Sequence, residues 1–228
     1  NKLLTNIFGE KMDFTIKSVY SNNDIEVNGT LIDPIWERTR AVELVNNSDG
    51  TTTKDSLRAL VRSFWTNKYL YFGLEANYEE LFLAPENAET DPKTGKTWRL
   101  WDISDVFEIF IGPDSKKTRV YREFQVSPDS RWIDIAIDAS KPERTADFDW
   151  SSGMKAKSTI DYVAKKWYSV LQFPFTAFDR FPAEKEIWNL NFYRMAGTPD
   201  KRQLFAWSPT FIDRFHKPEK FGNIIFVK

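Results

Sequence analysis

The sequence predicts an all-β domain: an antiparallel β-sandwich of jelly-roll-like form, with one or two short helical turns. A closed barrel is the alternative closure for the same strands. Three observations lead there. Short apolar runs recur along the chain with turn residues between them. No long stretch carries the 3.6-residue periodicity of an amphipathic helix. Aromatic residues make up 16% of the 228 residues (19 Phe, 9 Trp, 8 Tyr), and rings favour strands over helices.

The elements follow in order. Asp33-Pro34-Ile35-Trp36-Glu37-Arg38 opens a short helical turn, with Asp33 as N-cap and Pro34 in the first turn. Leu57–Trp65 and Tyr69–Asn77 form a hairpin across Thr66-Asn67-Lys68. Val106–Ile111 is apolar on both parities except at Glu108, which marks a central strand covered on both faces. Val120–Val126 and Trp132–Ile137 make a hairpin turned by Ser127–Arg131. Tyr162-Val163 pairs with Trp167–Phe173 across Ala164-Lys165-Lys166. Ala177–Phe181 reads as a second single turn of helix. Ile187–Arg194, Leu204–Trp207 and Ile224–Val227 complete the strands. Pro85–Lys96 and Ala139–Gly153 are polar loops, too short and varied to be linkers. Residues 25–228 therefore read as one domain. Residues 1–24 are an N-terminal extension or its first strand.

Composition excludes several function classes. Lys+Arg total 32 and Asp+Glu 33, for a net charge of −1. Nucleic-acid binding driven by bulk positive charge is thereby excluded. The absence of cysteine removes disulfides, thiol nucleophiles and thiolate metal sites. His216, the single histidine, rules out a two-histidine metal site within the chain. No apolar run reaches the roughly 20 residues of a membrane-spanning helix.

Side-chain alternation sorts the strand faces. Ile133, Ile135 and Ile137 share a face that should be core, opposite Trp132, Asp134 and Asp138. Trp188, Leu190 and Phe192 lie opposite Asn189, Asn191 and Tyr193. Tyr121, Glu123 and Gln125 lie opposite Val120, Phe124 and Val126. Several strands thus present a mixed polar and aromatic face. Glu108 sits mid-strand between Val106 and Phe110 on its own face, where it loses hydration and needs a partner. That partner is an internal arginine, Arg122 or Arg194, or the hydroxyls of a ligand.

Four segments together resemble the family 9 carbohydrate-binding modules. They are Ile25–Arg38 (IEVNGTLIDPIWER), Val61–Ala76 (VRSFWTNKYLYFGLEA), Trp101–Ile111 (WDISDVFEIFI) and Ala206–Phe226 (AWSPTFIDRFHKPEKFGNIIF). The resemblance spans roughly residues 25–228. It implies a β-sandwich that clamps the end of a sugar chain between two tryptophans, with polar side chains around it. The first tryptophan corresponds to Trp101, with Trp98 as a nearby substitute, and the strand glutamate to Glu108. Gln125 stands after Phe124 where the family has an arginine, and Phe215 stands where it has its second tryptophan. The resemblance therefore implies carbohydrate as the partner and Trp101, Trp98, Glu108, Gln125 and Phe215 as the contacts. The flat rings cover the C–H faces of a pyranose while the polar groups bond its hydroxyls.

The resemblance further implies a non-catalytic monomer located outside the cell, in the periplasm or at the cell surface. Relatives carry structural calcium; Asp102, Asp105 and Asp114 are the loop acids available here, without EF-hand spacing. Two other functions stay open. A glycoside-cleaving enzyme would use Glu108 and Glu123 as its acid pair. A haem-binding sandwich would draw axial ligands from His216, Met12, Met154 and Met195, an inventory too thin to expect haem. For His216 itself, a structural hydrogen bond stands beside a contact at the site's rim.

Overall fold

A computed structural model describes residues 14–228. The strands in chain order are β1 (Thr15–Tyr20), β2 (Val42–Leu44), β3 (Ala59–Trp65), β4 (Tyr69–Asn77), β5 (Val106–Gly112), β6 (Val120–Val126) and β7 (Trp132–Asp138). They continue with β8 (Thr145–Asp147), β9 (Lys155–Asp161), β10 (Lys166–Pro174), β11 (Ile187–Ala196), β12 (Gln203–Ala206) and β13 (Gly222–Val227). One α-helical turn, α1 (Leu100–Ile103), and short 3-10 turns make up the rest of the regular structure.

Hydrogen bonding links the strands into one path, β8-β7-β6-β5-β11-β13-β1-β3-β4-β10-β9, with β12 beside β11 and β2 beside β3. The path curls so that its two halves face each other, forming a β-sandwich. No ladder joins β8 to β9, so the sheet stays open rather than closing into a barrel. Pairing is antiparallel except at β1, which runs parallel to both β13 and β3. The long connection from β1 to β3, residues 21–58, permits that; a tight hairpin would not.

The main core fills the space between the halves. Phe107, Ile109, Phe124, Leu190 and Phe192 from the front layer meet Phe72, Leu74, Trp167, Leu171 and Phe173 from the back. Many of the chain's rings lie here, in edge-on and tilted contacts such as Phe72–Phe192 (5.5 Å) and Phe124–Phe173 (4.2 Å). Two glycines in the resembling segments answer to close approach. A Cβ at Gly73 would sit 2.7 Å from Leu31 and 2.9 Å from Trp36. One at Gly222 would collide with the backbone oxygen of Phe14.

The hairpins at 59–77 and 120–138 and the central strand β5 form as the sequence predicts. So does the turn at Pro34–Arg38, where Asp33 Oδ1 accepts from Ile35 N at 2.9 Å. Four expectations need correction. Tyr162 and Val163 are turn residues, 67% and 97% exposed; the partner of β10 is β9. Asp161 Oδ1 accepts from the amides of Val163 and Ala164 and so stops the strand. The strand itself is a sheet edge with lysines at Lys155 and Lys157, too polar to read as one. The second helical turn spans Phe175–Phe178, two residues earlier than predicted, and ends at Asp179 in the left-handed region. The loop at 139–153 contains β8.

The fourth correction concerns a face. Ile133, Ile135 and Ile137 do not point into the main core. They join Val106, Phe110, Tyr121 and Tyr193 in a second cluster on the outer side of the front layer. Asp134, expected outside, is fully buried and pairs with Lys96 at 2.6 Å. Among the described residues no helix is long and apolar enough to cross a membrane.

Candidate functional site

The second cluster is only partly covered, and a cavity of about 260 Å³ opens there. Its floor is the outer face of β5 and β6, with Glu108, Glu123 and Gln125. Ile135 and Ile137 of β7 form one side and Met195 and Leu204 of β11 and β12 another. Trp101, Phe148, Arg144 and the segment 213–216 form the upper walls and rim. The structure thus brings four of the five predicted contact residues, Trp101, Glu108, Gln125 and Phe215, to one cavity. Trp98 is the fifth; it lies outside the lining, 39% exposed, with its ring 5.4 Å from Phe148.

Each wall is held by its own device. Trp101 rides on α1, which starts at Arg99 in the left-handed region (φ 49°) and is anchored by the buried Leu100. Arg99 Nε donates to Asp102 Oδ2 (2.5 Å), and Arg202 donates to Ser104 O at 2.8 Å. Phe148 stacks toward Trp101, with centroids 6.5 Å apart. Its loop is pinned from below, because buried Lys96 donates to the carbonyls of Phe148 (3.0 Å) and Trp150. Phe215 is nearly buried and lies flat on Tyr193, centroids 4.2 Å apart. The Tyr193 hydroxyl donates to Phe215 O at 3.0 Å. Asn191 clamps Ser208 from both sides, donating to its oxygen (2.9 Å) and accepting from its nitrogen (3.0 Å). The polar strand face read from the sequence therefore holds the Phe215 loop rather than meeting solvent.

The floor has unusual electrostatics. Neither arginine proposed as a partner reaches Glu108. Arg194 pairs across the ladder with Phe107, and Arg122 with Ile111 and Ala136, so both point to the opposite face. Arg194 donates to Leu57 O, and Arg122 lies 5.0 Å above the Trp150 ring. Glu108 is 2% exposed, and among the described residues no donor reaches its Oε1. Burial, reinforced by the Glu123 charge beside it, pushes its carboxyl well above the usual range. Glu123 accepts from Gln125 Nε2 at 2.7 Å. Burial pushes Glu123 up to about 7, against the pull of Gln125 and Arg144. Gln125 Oε1 is also buried without a donor.

His216 belongs to the wall. Its Nδ1 is hydrogen-bonded to the Tyr121 hydroxyl (2.8 Å), and its ring lies 5.1 Å from that of Phe110. Burial, with Arg144 nearby, lowers it to about 3, so it stands neutral 3.7 Å from Glu123. Met154 lies in the main core and Met195 lines the cavity; Met12 lies outside the described residues. The loop acids suggested for calcium do not converge. Asp102 pairs with Arg99, Asp105 accepts from Gly197 N, and Asp114 caps its own turn at Lys116. Among the described residues no cluster of three His, Asp or Glu side chains forms a metal site.

The sequence reading missed Phe148 and Arg144, which come from the polar loop at 139–153, and Arg214, which stands beside Phe215 in a resembling segment. Ile135 and Ile137 were legible as a buried face, though the face proves to be this one.

Comparison with known proteins places the fold. The family described as carbohydrate family 9 binding domain-like matches residues 27–228. An extracellular protein of Arthroderma benhamiae is 27% identical over 180 residues, covering 73% of this chain and 78% of its own. A Bacteroides uniformis structure superposes with a TM-score of 0.67 at 18% identity, covering 93% of this chain and 98% of that one. A family 9 carbohydrate-binding module of Caldicellulosiruptor kristjanssonii, solved with cellotriose, gives a TM-score of 0.65 at 14% identity, covering 93% of each chain. At these identities the solved structures share the fold.

Proposed function

The chain belongs to the carbohydrate family 9 binding domain-like family, and from that premise we propose that it binds carbohydrate in the cavity without cutting it. One observation carries the proposal: a ring-walled cavity floored by buried acceptors that the fold leaves without donors. Buried polar groups are nearly always satisfied, so acceptors left open at the base of a cavity suit a ligand rich in hydroxyls. The C–H faces of a pyranose would lie against Trp101, Phe148 and the edge of Phe215, while its hydroxyls donate to Glu108 and Gln125. The volume falls just below the roughly 300–1,000 Å³ of typical small-molecule sites, which suits a terminal sugar unit rather than the middle of a chain. Affinity for a single unit is expected in the micromolar to millimolar range, roughly −8 to −4 kcal/mol. Location outside the cell is part of the same reading, supported by the fungal relative's name.

The acid pair favours a second reading, glycoside cleavage, because Glu108 and Glu123 share the cavity with raised pKa values. Geometry weighs against it. In the β5–β6 register Glu108 faces Gln125 and Glu123 faces Phe110, so the two are diagonal neighbours on one sheet face. Both carboxyls then address the same side of a bound ring, whereas hydrolysis needs them to flank the scissile bond.

Isothermal titration with cellotriose and a panel of plant and microbial oligosaccharides tests the proposal. Binding is expected, with Trp101→Ala weakening it about tenfold, the order of a lost stacking contact plus its buried area. Absence of heat with every sugar would sink it, and chromatographic detection of shortened oligosaccharides would overturn its non-catalytic part.

A further inference from the structure

The cavity floor carries two carboxyls and an amide oxygen but, among the described residues, no cation. Glu108 and Glu123 stand on adjacent strands as diagonal neighbours, and among the described residues no donor reaches the buried Glu108 Oε1 or Gln125 Oε1. Among the described residues, the charged or titratable neighbours are engaged or set apart as follows. Arg122 and Arg194 point across the sheet. Arg202 feels Glu108 but is tied to the backbone oxygens of Ser104 and Asp102. The hydroxyls of Tyr193 and Tyr121 are engaged with Phe215 O and His216. His216 is neutral. Arg144 is exposed at the rim and draws Glu123 down only in part, against its burial, while Asp213 and Arg214 stand at the rim as well.

Such a floor distinguishes among sugars. A hydroxyl donates one hydrogen bond but brings no charge to offset ionisation of two neighbouring buried acids. A protonated amine donates three, and its positive charge favours the ionised acids where the medium screens the attraction least. Aromatic walls add attraction for a cation. A carboxylate would bring a third negative charge.

We infer that, within the carbohydrate-binding reading above, the site prefers an amino sugar, with its ammonium directed at Glu108, Glu123 and Gln125 and its ring against Trp101. The inference rests on that reading and narrows it to sugar units bearing a free amine.

Titration calorimetry near pH 7 on the wild-type chain would compare chitosan trisaccharide, chitin trisaccharide, cellotriose and a glucuronic-acid trisaccharide. The free-amine sugar should bind at least tenfold more tightly than cellotriose and its acetylated counterpart. Glu108→Gln and Glu123→Gln, checked for folding by thermal unfolding, should bring the affinity ratio of amine to cellotriose to within about twofold. Equal affinity of the wild type for the amine and neutral sugars overturns the inference and leaves the carbohydrate reading standing. Tighter binding of the uronic acid likewise overturns it, giving the decision to the rim arginines. Silence with all four sugars defeats both.

Discussion

Asp134 and Glu108 are two carboxylates that the front layer buries on opposite faces, and the fold treats them differently. Asp134 points inward. Lys96 pairs with its Oδ1 at 2.6 Å, and the amide and hydroxyl of Ser152 donate to its Oδ2 at 2.7 and 2.5 Å. Glu108 points outward into the cavity, where one of its oxygens has no donor and its nearest acidic neighbour repels it. A buried carboxylate is costly unless paired. The first is therefore a structural joint, tying the loop before α1 and the Phe148 loop to β7. The second is a cost the chain retains at the base of an open cavity. Burial by itself does not separate a structural acid from a ligand-facing one; the inventory of donors around it does.

The largest test breaks the joint. Lys96→Met strands a fully buried carboxylate and frees the carbonyls of Phe148 and Trp150. The expected loss is about 3–5 kcal/mol, read as a drop in unfolding midpoint on the order of 10 °C for a chain of this size. Sugar affinity should fall with it, because Phe148 loses its anchor. A midpoint within 2 °C of wild type, using about 2–4 °C per kcal/mol, would show that Asp134 is no more structural than Glu108.

The converse substitution should move stability the other way. Glu108→Gln removes a buried acid that has no partner, so at pH 8 stability should rise by about 1 kcal/mol, or roughly 2–4 °C in midpoint, even as binding weakens. A joint-like loss of several kcal/mol would erase the contrast. Loss of binding with gain of stability is the signature of a group kept for a ligand.

Much of the contrast could be read in advance, but only in part. Glu108 was visible as a polar residue in an otherwise apolar run, and its need for a partner followed from that. Which partner did not follow, because Arg122 and Arg194 differ from Glu108 by face, and the face depends on how the loops cover the sheet. Alternation put Ile133, Ile135 and Ile137 together correctly. It could not say which side the other layer would occupy, so Asp134 was read as exposed. Phe148 and Lys96 act through loops whose paths no periodicity encodes. Trp101 and Phe215 were legible through resembling segments, whereas their supports, Arg99 in a left-handed conformation and Asn191 gripping Ser208, came only with coordinates.

The smallest expected effect is a pH dependence that separates the two faces of the cavity itself. Burial raises Glu108 and Glu123, the latter to about 7, so the folded chain holds their protons longer than the unfolded chain does. Stability contributed by those protons is complete near pH 4.5 and is lost as pH rises toward 7. His216 works in the opposite sense. Its folded pKa falls to about 3, from 6.5, so the unfolded chain takes up a proton that the folded chain refuses. Its contribution is complete above pH 6.5 and is lost as pH falls toward 3. Between pH 4.5 and 6.5 the acids and the histidine therefore oppose one another, with Arg144 and Tyr121 as the other polar neighbours facing them. Urea unfolding across this window should show wild-type stability falling gently with rising pH. His216→Gln should steepen that fall, and Glu108→Gln/Glu123→Gln should reverse it into a rise. Identical slopes in all three chains would mean that the acids titrate as they do in water, and the floor would then be a solvated surface like any other.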